Sequence, residues 1–141
     1  AGSRGRFLVR LNRPGEVGYE WVLALLPSTL RRCLVLVDPS YEVKTEYEQV
    51  GRLIPKIHRK CPSAVIMVCY SLLKDNLHPG LCHRLDWAEL PKFVWREVFI
   101  ADPHTSRRMH GSGLMFVNLP HGVAEALADV DQFVPRRDLE S

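Results

Sequence analysis

Asp38, Pro39 and Tyr41 fall within one tetrapeptide, Asp38-Pro39-Ser40-Tyr41, directly behind the apolar run Cys33-Leu34-Val35-Leu36-Val37. An acid, a proline and an aromatic at that point add nothing to core packing. A carboxylate at the carboxyl end of a buried parallel strand is where open α/β sheets hold their ligands. The set suits the chemistry of an exocyclic amine on a nucleobase. A carboxylate and the carbonyl of the following proline can both accept hydrogen bonds from a single NH2 group. That keeps electron density on the nitrogen as it attacks an electrophile. The tyrosine ring can stack on the base, which has to leave its helix to be reached. The plainer reading of the same four residues is an Asp-Pro turn followed by a buried tyrosine.

The elements that must position this loop are legible as periodicities. Phe7 to Leu11 alternates weakly and predicts a short strand. Trp21, Val22, Leu25 and Leu26 recur at helical spacing within 19–30, where Pro27 bends or ends the pattern. The run 33–37 is too short and too β-branched for anything but a buried strand. From Glu42 to Lys60, Tyr47, Val50, Leu53, Ile54 and Ile57 form one apolar stripe of a helix, which Pro55 should kink or split. Ala64 to Tyr70 is a second central strand. Residues 72–90 are ambiguous, with Pro79-Gly80 interrupting a helical pattern. Lys92 to Ala101 and Gly113 to Asn118 predict two further strands, joined by a polar connection, and Val123 to Phe133 predicts a closing helix.

This alternation predicts a single α/β domain over residues 1–141, with a mostly parallel sheet covered on both faces and a tail at 134–141. The last two strands lack a clear helix between them, which predicts an antiparallel final strand.

Composition sets outer bounds. The chain has 141 residues, 46% hydrophobic and 25% charged, as expected of one globular domain. No apolar run nears the ~18 residues of a membrane span and no signal peptide is visible, so a cytoplasmic location without a membrane partner is expected. The first residue is Ala1 rather than Met, which suggests a processed, tagged or partial product. The net charge of +3 is unevenly spread: residues 1–32 hold six arginines against Glu16 and Glu20, a local balance of +4. Such an end suits phosphate contacts, or is a solvated basic surface. Cys33, Cys61, Cys69 and Cys82 show no CxxC spacing and read as buried reduced thiols. The six histidines follow no common zinc spacing, so no metal is expected. Trp21, Trp87 and Trp95 read as core or rim packing.

The segment Leu34-Val35-Leu36-Val37-Asp38-Pro39-Ser40-Tyr41-Glu42-Val43-Lys44-Thr45-Glu46-Tyr47 closely resembles the region around the Asp-Pro-Pro-Tyr motif of the bacterial 23S ribosomal RNA adenine-N6 methyltransferases, the RlmJ family. The likeness extends to both sides. Leu25-Leu26-Pro27 and Arg31-Arg32 resemble the family's "LPP…RRG" lead-in, and Val68-Cys69-Tyr70 its "LWYP" strand. Arg107-Arg108-Met109-His110-Gly111-Ser112-Gly113-Leu114 resembles its "RRGMTASGM" connection. Val117-Asn118-Leu119-Pro120 stands where the family has "INPP". Together these matches cover roughly residues 17–133, in the family's order.

The resemblance implies the C-terminal half of a Rossmann-like class I methyltransferase dependent on S-adenosylmethionine. It implies methylation of an adenine exocyclic amine (N6) in 23S ribosomal RNA. Asp38 would face the target amine, Pro39 would offer its carbonyl and Tyr41 its ring. Gly18 and Asp38 would contact the cofactor, Gly18 from a pair just before the helix at 19–30. Tyr41, Arg107 and Arg108 would meet the RNA. Ser40 departs from the second proline of the motif, and Val17 from the acid that precedes the glycine. No Gly-rich strand-to-helix loop with a following acid occurs; Gly111-Ser112-Gly113 is nearest and precedes a strand.

With the family's front half missing, the strand ending in Asp38 would have an uncovered edge. The N-terminal strand could move beside it, or self-association could cover it. Two other functions are compatible with these residues: an inactive remnant that binds RNA or a partner, and a methyltransferase acting on DNA adenine.

Overall fold

Buried apolar runs alternate with amphipathic stretches in the computed structural model, which describes residues 8–11, 16–26, 33–39, 45–73, 77–100 and 109–130, with the backbone alone at 8–11, 16–19 and 129–130. The elements are β1 (Leu8–Leu11), α1 (Glu16–Leu25), β2 (Leu34–Val37), α2 (Thr45–Lys60), β3 (Val65–Leu73), α3 (His78–Trp87), β4 (Val94–Phe99), β5 (Met109–Val117) and α4 (Val123–Val130). The strands form one sheet in the order β1-β2-β3-β5-β4. β1, β2 and β3 are parallel neighbours, and β5 runs antiparallel between β3 and β4. The expected α/β class and the antiparallel last strand are both present.

β1 lies beside β2 in the register Leu8↔Leu34 to Leu11↔Val37. The edge expected to be uncovered at the Asp38 strand is therefore occupied. β2 carries a parallel strand on each side, and its Val35 and Val37 are fully buried while Leu34 and Leu36 on the other face are not.

The core lies on one face of the sheet. Val35, Val37, Ile66, Val68, Tyr70, Leu72, Met115 and Val117 meet Val22 and Leu26 of the α1 segment, the α2 stripe, and Leu81 and Leu85 of α3. On the opposite face Val65, Met67, Cys69 and Ser71 are half-buried. All five apolar residues of the predicted α2 stripe are buried. α2 is not split at Pro55, because Leu53, Ile54 and Ile57 on either side of it are held in the core. Pro79 stands in the first turn of α3, where a missing N–H removes no intrahelical bond.

Trp21 and Trp87 differ from their reading as core or rim packing, being 67% and 84% exposed, whereas Trp95, 38% exposed, packs at the rim against Phe93. Periodicity placed Trp21 on the apolar side of α1, but Val22 and Leu26 turn inward and leave Trp21 and Leu25 outside.

Gly111 and Gly113 lie inside β5 and leave room for side chains that cross that strand. Tyr70, Gly113 and Glu97 are opposite one another across β3, β5 and β4. The Tyr70 ring passes over Gly113, and its hydroxyl donates to Glu97 Oε1 at 2.8 Å. Burial, then Cys82 and Glu97, push the Tyr70 hydroxyl far above the ordinary tyrosine pKa, so it remains a donor. His78 stacks on the same ring at 6.1 Å, with Nε2 3.9 Å from Glu97 Oε1.

Burial lowers the His78 pKa from 6.5; Glu97 opposes the shift and His110 reinforces it. The folded chain therefore takes up this proton less readily than the unfolded chain. Its contribution leaves stability unaffected well above 6.5 and lowers it as the pH falls through that value, levelling off below the folded pKa. Urea midpoints are expected to drop between about pH 7.5 and about pH 5, and His78→Asn is expected to flatten part of that slope.

Candidate active site at the carboxyl end of the sheet

Because β1, β2 and β3 are parallel, their carboxyl ends lie on one side of the sheet, where α1, α2 and α3 begin. Asp38 and Pro39 leave β2 at this end. Val35 and Val37 are completely buried, Asp38 is half-buried and Pro39 is buried. The apolar strand thus delivers a carboxylate to the rim while proline closes the space beneath it.

Gly18 is at the same end, in the neighbouring β1–α1 unit. It was expected just ahead of a helix at 19–30, but α1 begins at Glu16 and Gly18 is its third residue. Its N–H is one of the four at a helix start that have no partner within the helix. Asp38, Pro39 and Gly18 are therefore brought to one end of the sheet. Ser40, Tyr41, Arg107 and Arg108 lie outside the described residues.

The far side of the loop is tied down through α2. Tyr47 donates its hydroxyl to the Ser71 carbonyl at 2.8 Å, linking the first turn of α2 to the end of β3. Burial, with Glu46 beside it, raises the Tyr47 hydroxyl to about 12, so it keeps its proton at neutral pH. The segment between Pro39 and Thr45 hence joins two anchored points. Sequence placed Tyr47 only in an apolar stripe; its bond to Ser71 depends on how α2 packs on β3. A cleft of about 580 Å³ opens beside this anchor, between the first turns of α2 and α3, lined by Thr45, Tyr47, Glu48, Leu81 and the exposed Arg84 among others.

The distal Asn118-Leu119-Pro120 match does not join the site. β5 runs antiparallel and ends opposite Ile66, near the amino end of β3. Asp38 is one residue past the Val37↔Val68 pair and Asn118 one past the Val117↔Ile66 pair, so the two are about 13 Å apart along β3, at opposite ends of β2. Asn118 has a structural role there: its side-chain amide donates to the Pro62 carbonyl at 2.8 Å and the Ala64 carbonyl at 2.9 Å. Its backbone N–H reaches Pro91 at 2.9 Å, and its φ of 56° is one that asparagine tolerates better than most residues. Asn118→Ala is expected to lower the unfolding free energy by about 1–3 kcal/mol, read by urea denaturation.

Among the described residues, no three His, Cys, Asp or Glu side chains converge as ligands. No helix among them is long and apolar enough to cross a membrane.

Comparison with known proteins agrees with this fold. The family model described as "Ribosomal RNA large subunit methyltransferase D, RlmJ" matches residues 9–140. The chain belongs to this family. It is 26% identical over 113 residues to ribosomal RNA large subunit methyltransferase J of Escherichia coli, covering 80% of this chain and 40% of that protein. The protein of the same name from Haemophilus influenzae is 27% identical over 103 residues, covering 73% of this chain and 37% of the relative. Protein LPL1258 of Legionella pneumophila, described under the family DUF519, superposes with a TM-score of 0.70 at 25% identity, covering 83% of this chain and 45% of that one. The chain thus spans about two fifths of the length of the curated relatives it matches.

Proposed function

We propose that this chain carries the methyl-acceptor half of an S-adenosylmethionine-dependent methyltransferase, and that the acceptor is the N6 amine of an adenine in 23S ribosomal RNA. The observation that carries the reading is the half-buried Asp38, backed by Pro39, at the carboxyl end of a buried parallel strand in a chain of this family. Asp38 accepts one hydrogen bond from the amine and the Pro39 carbonyl accepts the other. Both hold the nitrogen lone pair toward the incoming methyl group. Tyr41 stacks on the extruded base, and Arg107 and Arg108 contact phosphates, which position the RNA without reading its sequence. Proximity and orientation supply most of the acceleration.

S-adenosylmethionine, when bound, supplies the electrophilic methyl group. The residues present fit one end of it: the Gly18 N–H in the first turn of α1 and the Asp38 carboxylate face the same crevice end of the sheet and would hold it there. A ribosomal RNA substrate agrees with a cytoplasmic location.

The test is transfer of tritiated methyl from S-adenosylmethionine to naked 23S ribosomal RNA, with duplex DNA alongside. Label at adenine N6 of the RNA is the expected result; label in the DNA alone would reverse the substrate. A second reading, a module that binds RNA or a partner without catalysis, is favoured by the lack of a Gly-rich strand-to-helix loop with a following acid in these residues. It predicts RNA binding with no calorimetric signal for S-adenosylmethionine at millimolar concentration.

A further inference from the structure

Three strand spacings from β2, about 14 Å across the sheet, α3 and the edge strand β4 enclose a small polar hollow. Its volume is about 260 Å³, and its walls include His78, Cys82 and Asp86 from α3 and Trp95 and Glu97 from β4. None of these residues takes part in the amine chemistry assigned to Asp38.

Each wall contributes a defined interaction. The Glu97 carboxylate is fixed by the Tyr70 hydroxyl at 2.8 Å, yet its side chain stays 24% exposed. Asp86 adds a second, exposed carboxylate at the rim. Trp95 is braced by Phe93, with ring centres 5.5 Å apart, and leaves part of its indole open. His78 is only 8% exposed, and its Nδ1 has no hydrogen-bond partner. Burial disfavours its charged form, so at neutral pH the imidazole is not a competing cation. Among the described residues, no lysine or arginine lines the hollow.

Two carboxylates, an aromatic ring and a neutral imidazole repel phosphate and attract a cation that donates hydrogen bonds. Metal coordination is disfavoured, since no three ligating side chains converge among the described residues. The volume is below that of cavities for drug-sized ligands, ~300–1,000 Å³, and suits a single side-chain-sized group. We propose that this hollow binds an alkyl guanidinium or ammonium group, with Glu97 as its counter-charge and Trp95 as the wall it stacks on. Such a group comes either from an arginine of a basic peptide or from a free polyamine, and both present the same chemistry.

The test follows the Trp95 indole N–H by NMR, assigned with Trp95→Phe, during titration of the chain with N-acetyl-arginine amide, spermidine and the neutral isostere N-acetyl-citrulline amide. A saturable shift with a cationic probe, and none with citrulline, is expected. Glu97→Gln keeps an acceptor for the Tyr70 hydroxyl, so the fold is retained, and it should weaken binding by about tenfold. Stronger binding of arginine supports the site with a peptide as its source; stronger binding of spermidine supports it with a polyamine. An equal response to citrulline, no saturable shift with either cation, or unchanged affinity in Glu97→Gln overturns the proposal. Methyl transfer plays no part in the readout, so the result is independent of the Asp38 reading.

Discussion

Alanine at Asp38 is expected to lower methyl transfer to an adenine amine by about a hundred- to a thousandfold, the loss typical of removing one preorganised electrostatic group. The carboxylate leaves the end of a strand whose Val35 and Val37 are completely buried, and Pro39 after it is buried too. Its position is therefore set by the sheet rather than by the substrate, and little reorganisation is needed when the amine arrives. Asp38→Asn is expected to fall close to the alanine variant. One amide oxygen still accepts, but the NH2 group then faces the N–H bonds of the substrate. Urea denaturation of both variants separates any loss of stability from a loss of chemistry. Tritium incorporation into 23S ribosomal RNA, with calorimetry of S-adenosylmethionine alongside, separates the chemical step from cofactor binding. Retained incorporation in Asp38→Ala would remove this residue from the mechanism.

The largest stability effect is expected at Gly113. A Cβ there would stand 2.0 Å from Tyr70 Cζ and 2.4 Å from its hydroxyl oxygen. No rotamer adjustment of a methyl relieves that contact, so the ring has to leave its place over β5. Tyr70 is only 2% exposed and holds Glu97 through its hydroxyl. Displacing it breaks a buried hydrogen bond as well as the packing. Gly113→Ala is expected to lower the unfolding free energy by about 3–5 kcal/mol, enough to unfold a marginal domain. The control is a double-mutant cycle. In a Tyr70→Ala background the same substitution should change stability by less than about 1 kcal/mol, because the clashing atoms are gone. Equal losses in the two backgrounds would show that Gly113 serves backbone conformation instead of the crossing ring.

The two glycines of β5 show how local sequence misleads when its cause is distant. In sequence, Gly111-Ser112-Gly113 is the nearest approach to a Gly-rich loop, and the predicted strand begins only at Gly113. In the fold both glycines are strand residues: the ring of Tyr70 needs the space at Gly113, and a Cβ at Gly111 would meet the Val98 carbonyl at 2.2 Å. The neighbours responsible come from β3 and β4, which no local window contains. Trp21 is a second case. Helical spacing identifies an apolar side of α1 but not how much of it finds a partner, and here Val22 and Leu26 take the buried places.

Residue order alone was enough to locate Asp38-Pro39 at the end of a buried strand, to outline the strands and helices, and to pick out the stripe of α2. Periods of two and near four residues are local properties, and they record which side of an element avoids water. The tertiary structure decided which strands are neighbours. It put β1 against β2, inserted β5 between β3 and β4, brought Gly18 to the same end as Asp38, and sent Asn118 to the opposite end. Pairing is a competition among all exposed backbone edges in the chain, so only the assembled sheet reveals which contacts win.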